Sequence, residues 1–126
     1  MPVLARAVLL MLGFAAMPPA LAAERLSTIP ERFRGIWMAE ARHCTAPATD
    51  ESWLRIGADQ ISFYESAGPV LAIVTRGADQ LALISELSGE GSTWLDLHQF
   101  TLSADRQQLT TRAPGLADPY QRVRCP

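Results

Sequence analysis

The sequence predicts an all-β single domain, a small antiparallel eight-stranded up-and-down barrel with one disulfide. Three observations predict it. Short segments of alternating apolar and polar residues recur at even spacing from Arg34 to Arg124, their connections are hairpin-sized and rich in Gly, Pro and Asp, and two cysteines flank nearly the whole run. A meander of that kind removes its exposed edges by closing on itself. The chain is short for eight strands, so the strands must be brief and the barrel narrow or incompletely closed. A two-sheet sandwich is the rival, because short strands alone do not separate the two architectures.

Residues 1–23 have the pattern of a signal peptide. Arg6 gives positive charge near the amino terminus, Ala7 to Ala16 is apolar throughout, Pro18-Pro19 ends the run, and Ala20-Leu21-Ala22-Ala23 offers small residues to a signal peptidase. Cleavage after Ala22 or Ala23 leaves residues 24–126 as the folded domain. The apolar run is about ten residues where a spanning helix needs roughly twenty. The expectation is therefore a protein of the periplasm or the outside medium, with no membrane span after cleavage.

In an oxidising compartment an even cysteine count reads as a disulfide, and with only Cys44 and Cys125 there is one possible pairing. The net charge is -2 and the basic side chains, all arginine, are dispersed. No basic stripe exists to track a phosphate backbone, so no nucleic-acid partner is expected.

The strands follow in order. Glu24 to Thr28 is a polar lead-in, and Ile29 to Phe33, with Pro30 near its start, forms one helical turn that lays Phe33 across one end of the domain. Arg34 to Ala41 is the first strand, with Phe33, Gly35, Trp37 and Ala39 on one face and Arg34, Ile36, Met38 and Glu40 on the other. His43 to Glu51 is a loop. Trp53 to Ile56, Ile61 to Glu65, Val70 to Arg76, Leu81 to Leu87, Thr93 to Leu102, Leu109 to Arg112 and Tyr120 to Arg124 complete the eight. Gly-Ala-Asp-Gln occurs at both 57–60 and 77–80. Independent selection of turn residues accounts for it better than a duplicated hairpin, since glycine permits positive φ and aspartate bonds its neighbouring backbone.

At Gly35-Ile36-Trp37 the chain resembles the calycin group of lipocalin-like and avidin-like barrels, in which a Gly-x-Trp opens the first strand after a short helical turn. It is also similar to small uncharacterised secreted bacterial proteins, through Phe-x-Gly-x-Trp before a cysteine, Ile61-Ser62-Phe63-Tyr64-Glu65-Ser66, Gly89-Glu90-Gly91-Ser92-Thr93-Trp94 and an arginine-cysteine end. The resemblance implies a barrel closed by Gly35, Trp37 and a late arginine packed across the indole, either Arg122 or Arg124. The chain is shorter than lipocalins and has no long final helix.

Several residues have the chemistry of a site. Trp94, Asp96, His98 and Phe100 share one face of their strand, and Asp96 beside His98 is the arrangement that orients an imidazole for general-base work. Against that, Leu95 and Leu97 read as the core side, which leaves Asp96 and His98 as a satisfied outer pair, and no motif ties a nucleophile to them. Glu65 follows Ile61 and Phe63 on one face, where it either lines the end of a pocket or pairs at the rim with Arg55 or Arg76. His43 and His98 are far apart in sequence and have no paired spacing, so neither a metal site nor a cofactor is expected.

The leading expectation for function is a non-catalytic binding module that takes a small apolar or amphipathic ligand at the open barrel end, lined by Trp37, Phe63, Glu65 and Trp94. The alternative is a module that binds an envelope protein or inhibits a secreted hydrolase through a loop such as Thr45 to Glu51 or an outer sheet face. An enzyme using Asp96 and His98 is the least favoured.

Overall fold

A computed structural model of the chain describes residues 22–126, together with Gly13 and Ala15; the rest of the expected signal segment lies outside the described residues. The strands are β1 Ala23–Leu26, β2 Gly35–Met38, β3 Leu54–Ile56, β4 Gln60–Phe63, β5 Ala67–Arg76, β6 Gln80–Gly89, β7 Ser92–Leu102, β8 Gln108–Arg112 and β9 Tyr120–Arg124. From β2 to β9 each strand pairs antiparallel with its sequence neighbour, and β9 pairs back onto β2, so eight strands form a closed up-and-down barrel. Closure rules out the sandwich. Cys44 and Cys125 are bonded, with their Cα atoms 5.6 Å apart.

The lead-in differs in kind from the expectation, and the expected loop after β2 contains 3-10 turns at Ala41–Thr45 and Pro47–Thr49. Ala23–Leu26 is a strand, paired with residues 73–76 of β5. The cause lies in unequal strand lengths. β4 covers only residues 67–69 on that side of β5, so the backbone groups farther along β5 need another partner, and β1 supplies it. Three of its four residues are exposed, so backbone bonding rather than apolar burial holds it, and alternation could not reveal it.

One end of the barrel is plugged. A 3-10 turn at Glu31–Phe33 buries Phe33, while Ile29 N–H donates to Ala58 O (2.8 Å) and Arg32 Nε donates to Ala78 O (2.6 Å). Both acceptors lie in hairpins at the same end. The core above this plug includes Ile29, Phe33, Trp37, Ile56, Ile61, Leu81, Phe100 and Leu109. Met38 is equally buried but stands outside that cluster, on the opposite face of β2, next to the 3-10 turn Ala41–Thr45. The two Gly-Ala-Asp turns differ: Gly77 adopts φ 63° whereas Gly57 has no positive φ, which supports independent selection of the turn residues.

The first barrel strand closes around an arginine. The Arg124 guanidinium lies 4.2 Å from the Trp37 ring, and its three nitrogens donate to Arg106 O, Arg34 O and Arg32 O at 2.8, 2.7 and 2.6 Å. Trp37 Nε1 donates to Phe33 O at 3.0 Å. Gly35 has φ 131°, and a Cβ there would stand 3.2 Å from Arg124 Nη1, so glycine serves both the backbone angle and the close approach. A planar, weakly hydrated cation suits the indole face and the carbonyls left free by the 3-10 turn.

Candidate functional site

The opposite end of the barrel is open because β7 outruns β8. Pairing between them stops at Gln99↔Arg112, so residues 92–98 of β7 have β6 on one side and no strand on the other. The chain from Ala113 to Pro119 bridges the gap as a loop. Between that loop, β4 and the β2–β3 connection lies a cleft of about 550 Å³, lined by Phe63, Leu116 and Tyr120 and by Glu51, Ser52, Asp96, His98, Thr111 and Arg122.

The faces of β7 are the reverse of the expected assignment. Trp94, Asp96, His98 and Phe100 stand opposite Leu87, Ser85, Leu83 and Leu81 of β6, and cross-strand partners share a face. Those β6 residues are all buried, so the Asp96 and His98 side points inward, while Leu95 is 66% exposed and Leu97 also faces out. Apolar residues occur on both faces of this strand, and its partner decided the matter.

His98 is sandwiched between aromatic rings, with centroid distances of 4.8 Å to Phe63 and 5.9 Å to Phe100. Its Nε2 lies 3.9 Å from Asp96 Oδ2, too far for a hydrogen bond, and its buried Nδ1 has no partner. Burial holds the imidazole below its ordinary pKa; nearby Asp96 opposes this and Arg122 reinforces it. Ser85 Oγ, fully buried on the adjacent strand, is likewise unpartnered.

This burial has a pH signature. Unfolded His98 takes up a proton near pH 6.5 while the folded ring resists it, so the unfolded state binds more protons just below that pH. Stability should therefore fall as the pH drops through 6.5, by at most about 1.4 kcal/mol per unit, until folded His98 also protonates. Urea unfolding at pH 7.5 and 5.5 checks this. In a His98→Phe variant, which keeps the ring packing, the loss over that window should largely disappear; an undiminished loss would assign it elsewhere.

Arg122 is a buried cation beside the same cleft. It is 8% exposed, donates from Nε to Ser52 O (2.7 Å) and from Nη1 to Thr111 Oγ1 (3.2 Å), and lies 4.5 Å from the Tyr120 ring. Among the described residues, no carboxylate comes within ion-pair distance of it and Nη2 has no hydrogen-bond partner. Burial pulls its pKa down to about 10, so it remains a cation at neutral pH. The Ser52 carbonyl is held in place by a local network. Asp50 accepts from Ser52 N–H (2.8 Å) and Ser52 Oγ–H, which keeps its carboxyl below the usual range, and lies 2.7 Å from His43 Nδ1. Ser52 Oγ accepts from Ala39 N–H at 3.0 Å.

The residues expected to line a ligand site are dispersed. Phe63 lines the cleft. Trp37 is fully buried in the core under Arg124, because the closing stack occupies its face. Glu65 and Trp94 sit together in a separate, smaller depression at the tip of the β6–β7 hairpin, and Glu65 forms no ion pair with Arg55 or Arg76 among the described residues, since it lies in the exposed turn after β4. Of the two late arginines, Arg124 stands across Trp37, and Arg122 faces the cleft.

Among the described residues, no cluster of three His, Cys, Asp or Glu side chains is placed to hold a metal, and no helix is long and apolar enough to cross a membrane. Comparison with protein-family models, curated proteins and solved structures returns no match.

Proposed function

We propose that this chain is a non-catalytic, lipocalin-like binding protein of the periplasm or outside medium that takes a small amphipathic ligand in the cleft at the open barrel end. The observation that carries this is the composition of the cleft. An apolar wall of Phe63, Leu116 and the Tyr120 ring faces Asp96, His98 and Arg122, and among the described residues Arg122 Nη2 has no hydrogen-bond partner. A guanidinium nitrogen that no protein group engages takes water or a ligand as its partner. Catalysis by Asp96 and His98 has less support, because the pair is separated and the imidazole is packed between two phenylalanine rings. The disulfide agrees with an oxidising compartment.

Titration with octyl compounds, followed by NMR, tests the assignment. Shifts should concentrate at Phe63, His98, Leu116 and Tyr120; shifts confined to the outer face, or none at millimolar ligand, would reject it.

The free edge of β7 supports a second function, binding of an envelope protein or a secreted hydrolase. Residues 92–98 present unpaired backbone groups on one side, and Leu95, Leu97 and Ile84 add an exposed apolar face beside them. A partner strand could pair there and cover both.

A further inference from the structure

We infer that the ligand of this cleft carries a carboxylate, and that Arg122 is the group that recognises it. The inference rests on the cleft being a ligand site and adds the charge of the ligand's head.

Arg122 is a largely buried cation with no carboxylate within ion-pair distance among the described residues. Its two hydrogen bonds go to neutral oxygens, Ser52 O and Thr111 Oγ1, and its nearest aromatic neighbour is Tyr120. A guanidinium in that state is costly, and a third nitrogen, Nη2, is left to bond something that enters the cleft. The bonds at Nε and Nη1 fix the plane of the fork, so the group is already oriented for an oxyanion and needs little ordering on binding. Arg122 therefore differs from Arg124, whose three nitrogens are all engaged by backbone carbonyls.

The other charges of the cleft narrow the class of anion. Asp96 and Glu51 also line it, and neither comes within ion-pair distance of Arg122. Glu51 is exposed and the Asp96 side chain is about one-third exposed, so water screens their charges more than that of Arg122. They nonetheless disfavour a second negative charge, which points to a singly charged carboxylate rather than a phosphate dianion. His98, buried and held neutral, adds no charge at pH 7 but offers a polar edge between two aromatic rings. Phe63 and Leu116 give the apolar surface for a short chain or ring attached to the head.

Calorimetric titration of the wild-type protein with octanoate, 1-octanol and octylammonium at pH 7 tests this without any substitution. A charge-assisted bond to a desolvated guanidinium should make octanoate at least about tenfold tighter than either analogue. Arg122→Lys should lose most of that preference, because an ammonium lacks the fork. Equal binding of octanoate and octanol would overturn the carboxylate assignment and leave an amphipathic cleft intact. Tighter octylammonium would also overturn it and pass recognition to Asp96 and Glu51. Octyl phosphate binding better than octanoate would refute the single-charge argument. Failure of octanoate, octanol and octylammonium, and of octyl phosphate titrated beside them, to bind would remove the ligand cleft itself.

Discussion

Replacing Gly68 by alanine is expected to destroy the closed barrel. A Cβ at this position would sit 1.8 Å from the Glu86 carbonyl oxygen and 2.8 Å from its carbon, both backbone atoms of the neighbouring strand. Relief by side-chain rotation is impossible, so β5 and β6 would have to separate. They are paired on either side of this point, at Ala67↔Ser88 and Val70↔Ser85, and β4 holds the other edge of β5 at Ile61↔Gly68. Ordinary overpacking costs about 1–3 kcal/mol; a clash with immovable backbone should exceed that, reaching on the order of 4–5 kcal/mol. Chemical denaturation of Gly68→Ala beside Gly115→Ala is the appropriate comparison, because a Cβ at Gly115 meets nothing within 4 Å. A Gly68→Ala protein as stable as the Gly115→Ala control would refute the close approach.

Loss of the Cys44–Cys125 bond should have a similar effect. The bond spans a sequence separation of 81 residues, so in the chain-entropy model it removes about 4.5 kcal/mol of unfolded-state freedom. That is a large share of the roughly 5–15 kcal/mol that a domain of this kind possesses. Unfolding measured with and without reductant, and on a Cys44→Ala/Cys125→Ala double variant, should show the same loss. A change below about 1 kcal/mol would mean that β2–β9 pairing and the Arg124 stack hold the ends together unaided.

Much of the barrel was legible in the sequence because it is written in short-range chemistry. Turn residues marked the hairpins other than β4–β5, where Ala67-Gly68-Pro69, with the chemistry of a turn, opens β5 and the chain turns instead at 64–66; each of the eight expected strands corresponds to a barrel strand, with ends shifted by a few residues. Gly35 and Trp37 marked the first of them. The site was less legible, for three physical reasons. Alternation separates the faces of β7 but cannot say which is inside when Trp94 and Phe100 on one side are matched by Leu95 and Leu97 on the other. Arg122 and Arg124 are two apart and share a face; only the register Trp37↔Arg124 assigns one to the indole and frees the other for the cleft. The cleft itself exists because β7 continues past the end of β8, and a mismatch of strand lengths leaves no mark in composition or periodicity. β1 escaped for a related reason, being held through backbone groups that every sequence carries.

The order in which the strands are joined also bears on how fast the chain folds. All barrel pairings except β2–β9 connect neighbours in sequence, so the meander can grow strand by strand, with short loops to close at most steps and a longer connection, from Ala39 to Trp53, between β2 and β3. The seam between β2 and β9 is different: it unites the two ends of the barrel sequence, and its contact order is the highest in the molecule. Until Arg124 reaches Trp37 at that seam, the edges of β2 and β9 stay unmatched. Oxidation of Cys44 and Cys125 before that moment would hold these edges near one another and turn the slowest search into a local one.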